Sequence, residues 1–208
     1  MGIFAKIKYF FSVNKRIHNG ALVSAGFSDY MESNYFHNDK GSLIDWHCYA
    51  FLTCEHGYSK CRESVKSYFE GAMVGSFLML LLVATNFLDI EYMEYFVAIK
   101  NAMRILLFAL WAFLAIRQWN MWIDSRIFRL MSTYHLLKLN NLLGEECFDA
   151  TKEPVTQVDK VFELFGGLAA LKDIPEPDKI NQIFQEYATK HLMPKKAKIK
   201  AGHISQLK

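Results

Sequence analysis

The hydrophobic pattern of this chain changes character at Gly71. Upstream, apolar and polar positions recur with a helical period. From Gly71 to Leu88 the chain then reads GAMVGSFLMLLLVATNFL, eighteen residues without a charged side chain. At a rise of about 1.5 Å per helical residue, that run covers most of a hydrocarbon layer roughly 30 Å thick. A second apolar stretch follows almost at once, from Tyr92 to Ile116. The pattern predicts an all-α membrane protein. It would have a two-helix transmembrane hairpin, with spans near 71–90 and 93–116, long cytoplasmic helical extensions and a small helical C-terminal region.

The first span reads as the second half of a longer helix. Ser42 is placed to cap it, with Asp45 three residues on giving an S-x-x-D box. A seam of 4-3 spacing then runs through His47, Phe51, Cys54, Tyr58, Cys61, Val65, Tyr68, Ala72, Gly75, Met79, Leu82 and Asn86. Gly57 is its weak point as a helix former. At the membrane entrance Gly71, Ala72 and Gly75 make the seam small, and a G-x-x-x-G there predicts close helix packing, within the chain or between chains. The second helix also outlasts its span. Ile123, Ile127, Leu130, Tyr134, Leu137 and Leu142 keep a helical period until Asn140, Asn141 and Gly144 end it. Residues 42–144 thus form one long hairpin. Residues 1–41 form a basic N-terminal amphipathic segment. Its stretch IFAKIKYFFSVNKRI either lies on the membrane surface, the reading favoured by Lys6, Lys8, Lys15 and Arg16, or docks on the stalk. In residues 145–208, Pro154 opens a loop, Thr156 caps a short helix through Phe165, IPEPD makes a stiff turn, and residues 178–192 form a small amphipathic helix carrying Ile180, Ile183, Phe184 and Tyr187.

Charge orients the hairpin. The inter-span loop DIEYMEY has no basic residue. Lys60, Arg62 and Lys66 precede the first span, and Arg117, Arg126 and Arg129 follow the second. Basic residues collect on the cytoplasmic side, so both termini are expected there and the loop outside. Trp119 and Trp122 would then sit at the inner interface. No cleavable signal peptide is expected, because no long apolar core follows the first lysines. A mean hydropathy of +0.05 and a charged fraction of 22% are too polar for a polytopic transporter, and they suit two spans flanked by soluble helices. Lys100 and Arg104 fall inside the second span, where a charge near the midplane costs at least ~2.5 kcal/mol. They either snorkel outward or, with Asn101 and Asn86, line an aqueous path between subunits.

Other chemistry is sparse. Cys48, Cys54, Cys61 and Cys147 read as reduced thiols, three of them too far apart along one helix to bridge. His47, Cys48, Cys54, His56 and Cys61 match no zinc spacing, so no metal is expected. Phosphate-loop, dinucleotide and nucleophile-elbow motifs do not occur in the sequence. Neither a catalytic residue nor a cofactor is expected, and the chain is read as a non-enzyme. Residues 190–208 carry six lysines and no acidic side chain. Lys195, Lys196, Lys198 and Lys200 are the candidate contacts to a nucleotide or single-stranded nucleic acid, the alternative being a solvated end.

Over Ser42 to Gly144 the arrangement resembles the two-transmembrane effectors of bacterial defence systems, in particular the SLATT type, and is similar in plan to the membrane effector of the Hailong system. The resemblance is architectural and carries no site residue across. It implies a multimeric pore in a bacterial inner membrane, held closed until infection and controlled through a neighbouring nucleotidyltransferase. The small number of helices needed to surround a narrow pore gives an expectation of about four subunits. A reading from another class is a membrane-anchored helical scaffold that tethers a cytoplasmic protein partner. The polarity of the spans separates the two, because an anchor has no use for intramembrane Arg104, Lys100, Asn101 or Asn86.

Overall fold

The computed structural model describes residues 9–37, 39–84, 94–144, 147–149, 151–166 and 174–192, with the backbone alone at 82, 84, 94–100 and 192. Among these residues every regular element is helical, and there is no strand. Helix α1 spans Val13–Tyr35, α2 spans Lys40–Ala84 and α3 spans Glu94–Leu143. A 3-10 turn at Pro154–Gln157 leads into α4, Val158–Phe165; α5 follows at Pro177–Tyr187 and passes into a π turn at Ala188–Leu192.

Helices α2 and α3, 45 and 50 residues long, lie antiparallel over nearly their whole length. Their register is constant. Gly57 faces Phe128, Gly71 faces Leu114 and Gly75 faces Trp111. The 4-3 seam of the sequence is the packing face. His47, Phe51 and Cys61 are buried, and Cys54, Tyr58, Val65, Tyr68, Ala72, Gly75 and Met79 are partly covered. Knobs repeating every 3.5 residues keep one stripe toward a partner helix, which is why so long a pair stays in contact. Helix α1 runs parallel to α3. Its Arg16 donates to Asn120 Oδ1 at 2.9 Å near one end, and its Asp29 accepts from Tyr134 Oη at 2.7 Å near the other.

Several local expectations are corrected. The cap of α2 is Asp39, not Ser42, since the Asp39 carboxylate accepts from the Ser42 amide at 3.1 Å and from its hydroxyl at 3.4 Å. The helix therefore starts earlier than the Ser42 box implies, and Asp45 has no box to close. Thr156 does not cap α4. Its hydroxyl is turned back to the Glu153 carbonyl, and Pro154 opens a 3-10 turn rather than a loop, as its fixed φ and missing N–H suit a first helical position. Arg16 of the N-terminal segment is turned onto Asn120 of the stalk instead of toward lipid. Lys15 is exposed, and Lys6 and Lys8 lie outside the described residues. The end of α3 is as read: Asn140 exchanges two bonds with the Phe148 backbone, and Gly144 takes a positive φ of 77°.

Two buried clusters hold the lower half together. One joins Cys48 and Phe51 of α2, Leu136 and Leu139 of α3, and Phe148, Val161, Phe165 and Ile174 of the C-terminal part. The other joins Met31, Phe36, Trp46, Ala50 and Ile183. Phe184 and Tyr187, on the amphipathic helix read from the sequence, pack on Phe27 of α1 with ring centroids 5.1 and 5.7 Å apart.

Among the α2 glycines that face α3, the tightest is Gly57, not those of the G-x-x-x-G. A Cβ on Gly57 would meet the Phe128 ring at 2.8 Å, whereas at Gly71 it would meet Leu114 at an ordinary 3.5 Å and at Gly75 Trp111 at 3.9 Å. Large α3 side chains fill the small positions, so the motif does not bring backbones together within the chain. Gly57→Leu is expected to destabilise the protein in mild detergent by about 1–3 kcal/mol through overpacking. Gly71→Ala and Gly75→Ala should hold or gain up to ~1 kcal/mol of helix propensity. Thermal unfolding followed by circular dichroism measures all three.

Candidate functional site

Beyond Glu70 on α2 and Arg117 on α3 the surface of the pair turns apolar. Met73, Val74, Phe77, Leu80 and Leu81 face outward on one helix and Ile105, Leu106, Phe108, Leu110 and Phe113 on the other, with Ile105 72% and Leu106 70% exposed. So large an uncovered apolar band marks a surface meant for a non-aqueous or protein neighbour. Among the described residues one helix is long and apolar enough to cross a membrane by length and composition. It is the Asn101–Leu143 portion of α3, whose best window has mean hydropathy 1.4 and no share buried inside the chain. The rest of the first apolar run, residues 85–88, lies outside those described.

At the rim of the band, Arg117 lies over the Tyr68 ring, 5.9 Å from its centroid, and donates to its hydroxyl at 3.4 Å. Trp119 and Trp122 stack at 5.7 Å just beneath. Within the band the row Arg104, Leu107, Trp111, Leu114 and Gln118 turns toward α2, and Trp111 Nε1 donates to Ser76 Oγ at 3.1 Å. Arg104 Nη1 donates to Asn101 Oδ1 at 3.3 Å. Counting helical rise, Arg104 stands about 20 Å from Arg117 and about 15 Å from Glu94, within about 3 Å of the midpoint between them and on the far side of it. Gly71, Ala72 and Gly75 line the α2 face opposite. The structure thus brings Arg104 and Asn101 together. The Lys100 side chain, Asn86, Lys195, Lys196, Lys198 and Lys200 lie outside the described residues.

Below the band a buried polar cluster pins α1 to the pair. His47 of α2 and His135 of α3 face each other with Nδ1 to Nδ1 at 3.0 Å. One of these nitrogens must donate. A proton on His135 Nδ1 leaves His47 Nδ1 as acceptor and puts the single ring proton of His47 on Nε2, which lies 3.4 Å from Glu32 Oε1 without a formed hydrogen bond. Lys138 reaches back to Glu32 and Asp29, each at 3.2 Å. Burial and the nearby Lys138 push His47 down to about 4, with Asp29 opposing. Burial, then His47 and Lys138, push His135 down to about 3. Both imidazoles are therefore neutral. Burial works against ionisation of Asp29, but its bonds from Tyr134 and Lys138 prevail and hold the carboxyl below the usual range. Lys138 likewise loses to burial less than it gains from Tyr134, Glu32 and Asp29, and stays firmly charged.

The sequence places His47 on the seam but gives no sign of its partner. His135 and Lys138 lie near the end of α3, and Glu32 and Asp29 on a helix whose full extent the pattern does not announce. The spacing of Asp29 and Glu32, one turn apart like Tyr134 and Lys138, is the available hint. Reactive thiols are not part of the arrangement: burial, followed by Asp45 for Cys48 and Glu55 for Cys54, pushes both up to about 12. All four cysteines are unbridged. Beside His135 a cavity of about 430 Å³ opens among Phe27, Trp46, Ile127, Phe128 and Met131, with Asp124 at its wall.

Known proteins add no relative: no family model, no curated protein and no solved structure matches the chain.

The histidine pair sets an acid limit. Both groups titrate below the ordinary imidazole value of 6.5 when folded, so the unfolded chain takes up protons first. Stability is expected to be level above about pH 6.5 and to fall toward pH 4, by up to roughly 1.4 kcal/mol per pH unit for each imidazole. Asp29, which needs its charge, adds a further loss only at lower pH. Denaturant unfolding across about pH 7.5 to 4.5 checks this. The double variant His47→Phe/His135→Phe should flatten the slope above about pH 4.5.

Proposed function

We propose that this chain is the subunit of an oligomeric membrane effector whose helical hairpin conducts ions or depolarises the membrane, under control of its cytoplasmic helices. The observation that carries the reading is the continuity of α2 and α3. Each runs unbroken from a packed core at His47 and Leu139 into the apolar-surfaced band. A rigid pair of that length transmits a tilt or rotation from core to membrane without an intervening joint. The apolar band of α2 and α3 supports two spans, with both termini cytoplasmic because Lys and Arg cluster at the band's lower rim. Arg104 and Asn101 within the band are costly polar groups that a passive anchor does without. One hairpin encloses no aqueous path, so assembly is required, and about four subunits surround a narrow pore. By its resemblance to SLATT effectors the protein would act in anti-phage defence and respond to a nucleotide or nucleic-acid ligand made by a neighbouring nucleotidyltransferase, met by Lys195, Lys196, Lys198 and Lys200.

The row carrying Arg104 faces α2, and this favours the second reading, a membrane-anchored scaffold with Arg104 snorkelling to the outer headgroups. Arg104→Ala separates them. As a pore, the protein should form a defined oligomer in mild detergent and depolarise cells on induction, and the variant should change depolarisation per inserted molecule by about tenfold. A smaller change in the same direction is expected for Lys100→Ala. As an anchor, the variant should insert better with nothing else altered.

A further inference from the structure

A groove on the cytoplasmic part, away from the buried histidines, gathers three guanidinium groups. It is about 390 Å³ and is walled by Tyr58 and Arg62 of α2, Trp122, Arg126 and Arg129 of α3, and Glu153 before the 3-10 turn. The antiparallel register brings the arginines together, because Tyr58 stands opposite Arg129 with the guanidinium 5.2 Å from its ring centroid. Arg126 lies over the Trp122 ring at 5.4 Å. Glu153 pairs with Arg129 at 3.2 Å. Arg62 and Arg126 are exposed, and among the described residues neither meets a carboxylate. Three like charges held on rigid helices with one counter-charge between them leave an excess of positive charge and open planar donors. That is the arrangement that binds phosphate bidentately.

The groove continues downward past Tyr58 to Glu55, which is 7% exposed. Neither Glu55 carboxylate oxygen has a hydrogen-bond partner among the described residues. A buried carboxylate without a donor is costly, and a polar group entering the groove is placed to supply one. Along α2 it lies about 10 Å from Arg62.

We infer that this groove binds a soluble phosphate ester, the phosphate held by Arg62, Arg126 and Arg129 and a hydroxyl, amine or ring N–H of the same molecule donating to Glu55. The phosphate of a lipid headgroup is the other source of this chemistry. Depth argues against it. The backbones at Arg62 and Arg126 lie about 12–14 Å below Glu70 and Arg117 at the rim of the band by helical rise, and the headgroup layer is only about 5–8 Å thick. That choice of source rests on the membrane reading; the site itself does not. Occupation would clamp α2 to α3 on the stalk, about 12–14 Å below the rim of the band, so the site is placed to set the spacing of the two helices.

The test uses the full chain in mild detergent, with thermal unfolding and calorimetry against inorganic phosphate and glycerol 3-phosphate, and nanodiscs with or without phosphatidylglycerol. Both soluble probes at about 10 mM should raise the unfolding temperature, glycerol 3-phosphate more than phosphate. The effect should weaken as salt rises. Arg62→Gln/Arg126→Gln should weaken both probes about tenfold or more. Glu55→Gln should lose the advantage of the ester while leaving inorganic phosphate unchanged. Unliganded melting and the helical signal verify that each variant is folded. No shift with either probe overturns the site, protection by phosphatidylglycerol alone overturns the soluble ester, and equal binding by the double variant overturns the arginine assignment. Binding is read without conduction, so a protein that binds but does not depolarise cells leaves this site standing, and one that depolarises but binds nothing removes it alone.

Discussion

The pairing of α2 with α3 along one seam is the constraint on which everything else depends. A helix of 45 or 50 residues has no tertiary reason to exist alone. Its stability comes from burying a narrow stripe over and over, and each helix supplies the other's stripe. Once they are locked, the remaining elements have a fixed surface to meet. α4 and the Phe148 region close over the lower end of the pair, and α1 with α5 closes over the adjoining face. The apolar band, the buried histidines and the arginine groove are three levels of the same two-helix frame.

The polar cluster shows how that frame selects its third helix. Apolar contacts between α1 and the pair would tolerate sliding by a turn. The Glu32, Asp29, Lys138 and Tyr134 contacts do not, because each spans a single separation. A half-exposed polar network of this kind adds little net stability, yet a misplaced α1 would separate Glu32 from Lys138 beside the buried histidines. The neutral histidine pair behind it completes the set without adding charge to the interior.

How much of this is legible in the sequence follows from the range of each signal. The long helices and their seam are readable because a period repeated through Tyr58, Cys61, Val65 and Tyr68 reports on the helix that carries it. The terminator at Gly144 is readable because a left-handed backbone needs glycine there. Caps are less so. Asp39 and Ser42 both fit an N-terminus, and only the actual bonds separate them. Pairings across the fold leave no mark. Nothing in the sequence says that residue 47 meets residue 135, or that Arg62 meets Arg126 and Arg129, whose positions along the chain speak only to membrane orientation. These depend on the antiparallel register, and the register is a property of two stripes together.

That register also limits how such a chain can change. Gly57 sits under Phe128, Gly71 under Leu114 and Gly75 under Trp111, so the two helices are matched position by position in antiparallel register. An insertion in α2 shifts every pairing on one side of it unless α3 gains the same length at the mirrored place. An insertion that is not a multiple of seven also rotates the stripe away from its partner. The stalk between core and band can therefore lengthen only in paired steps of about two turns, roughly 10 Å at a time. Relatives of this architecture should come in discrete sizes, with their membrane-facing part and their cytoplasmic core set apart by whole heptads.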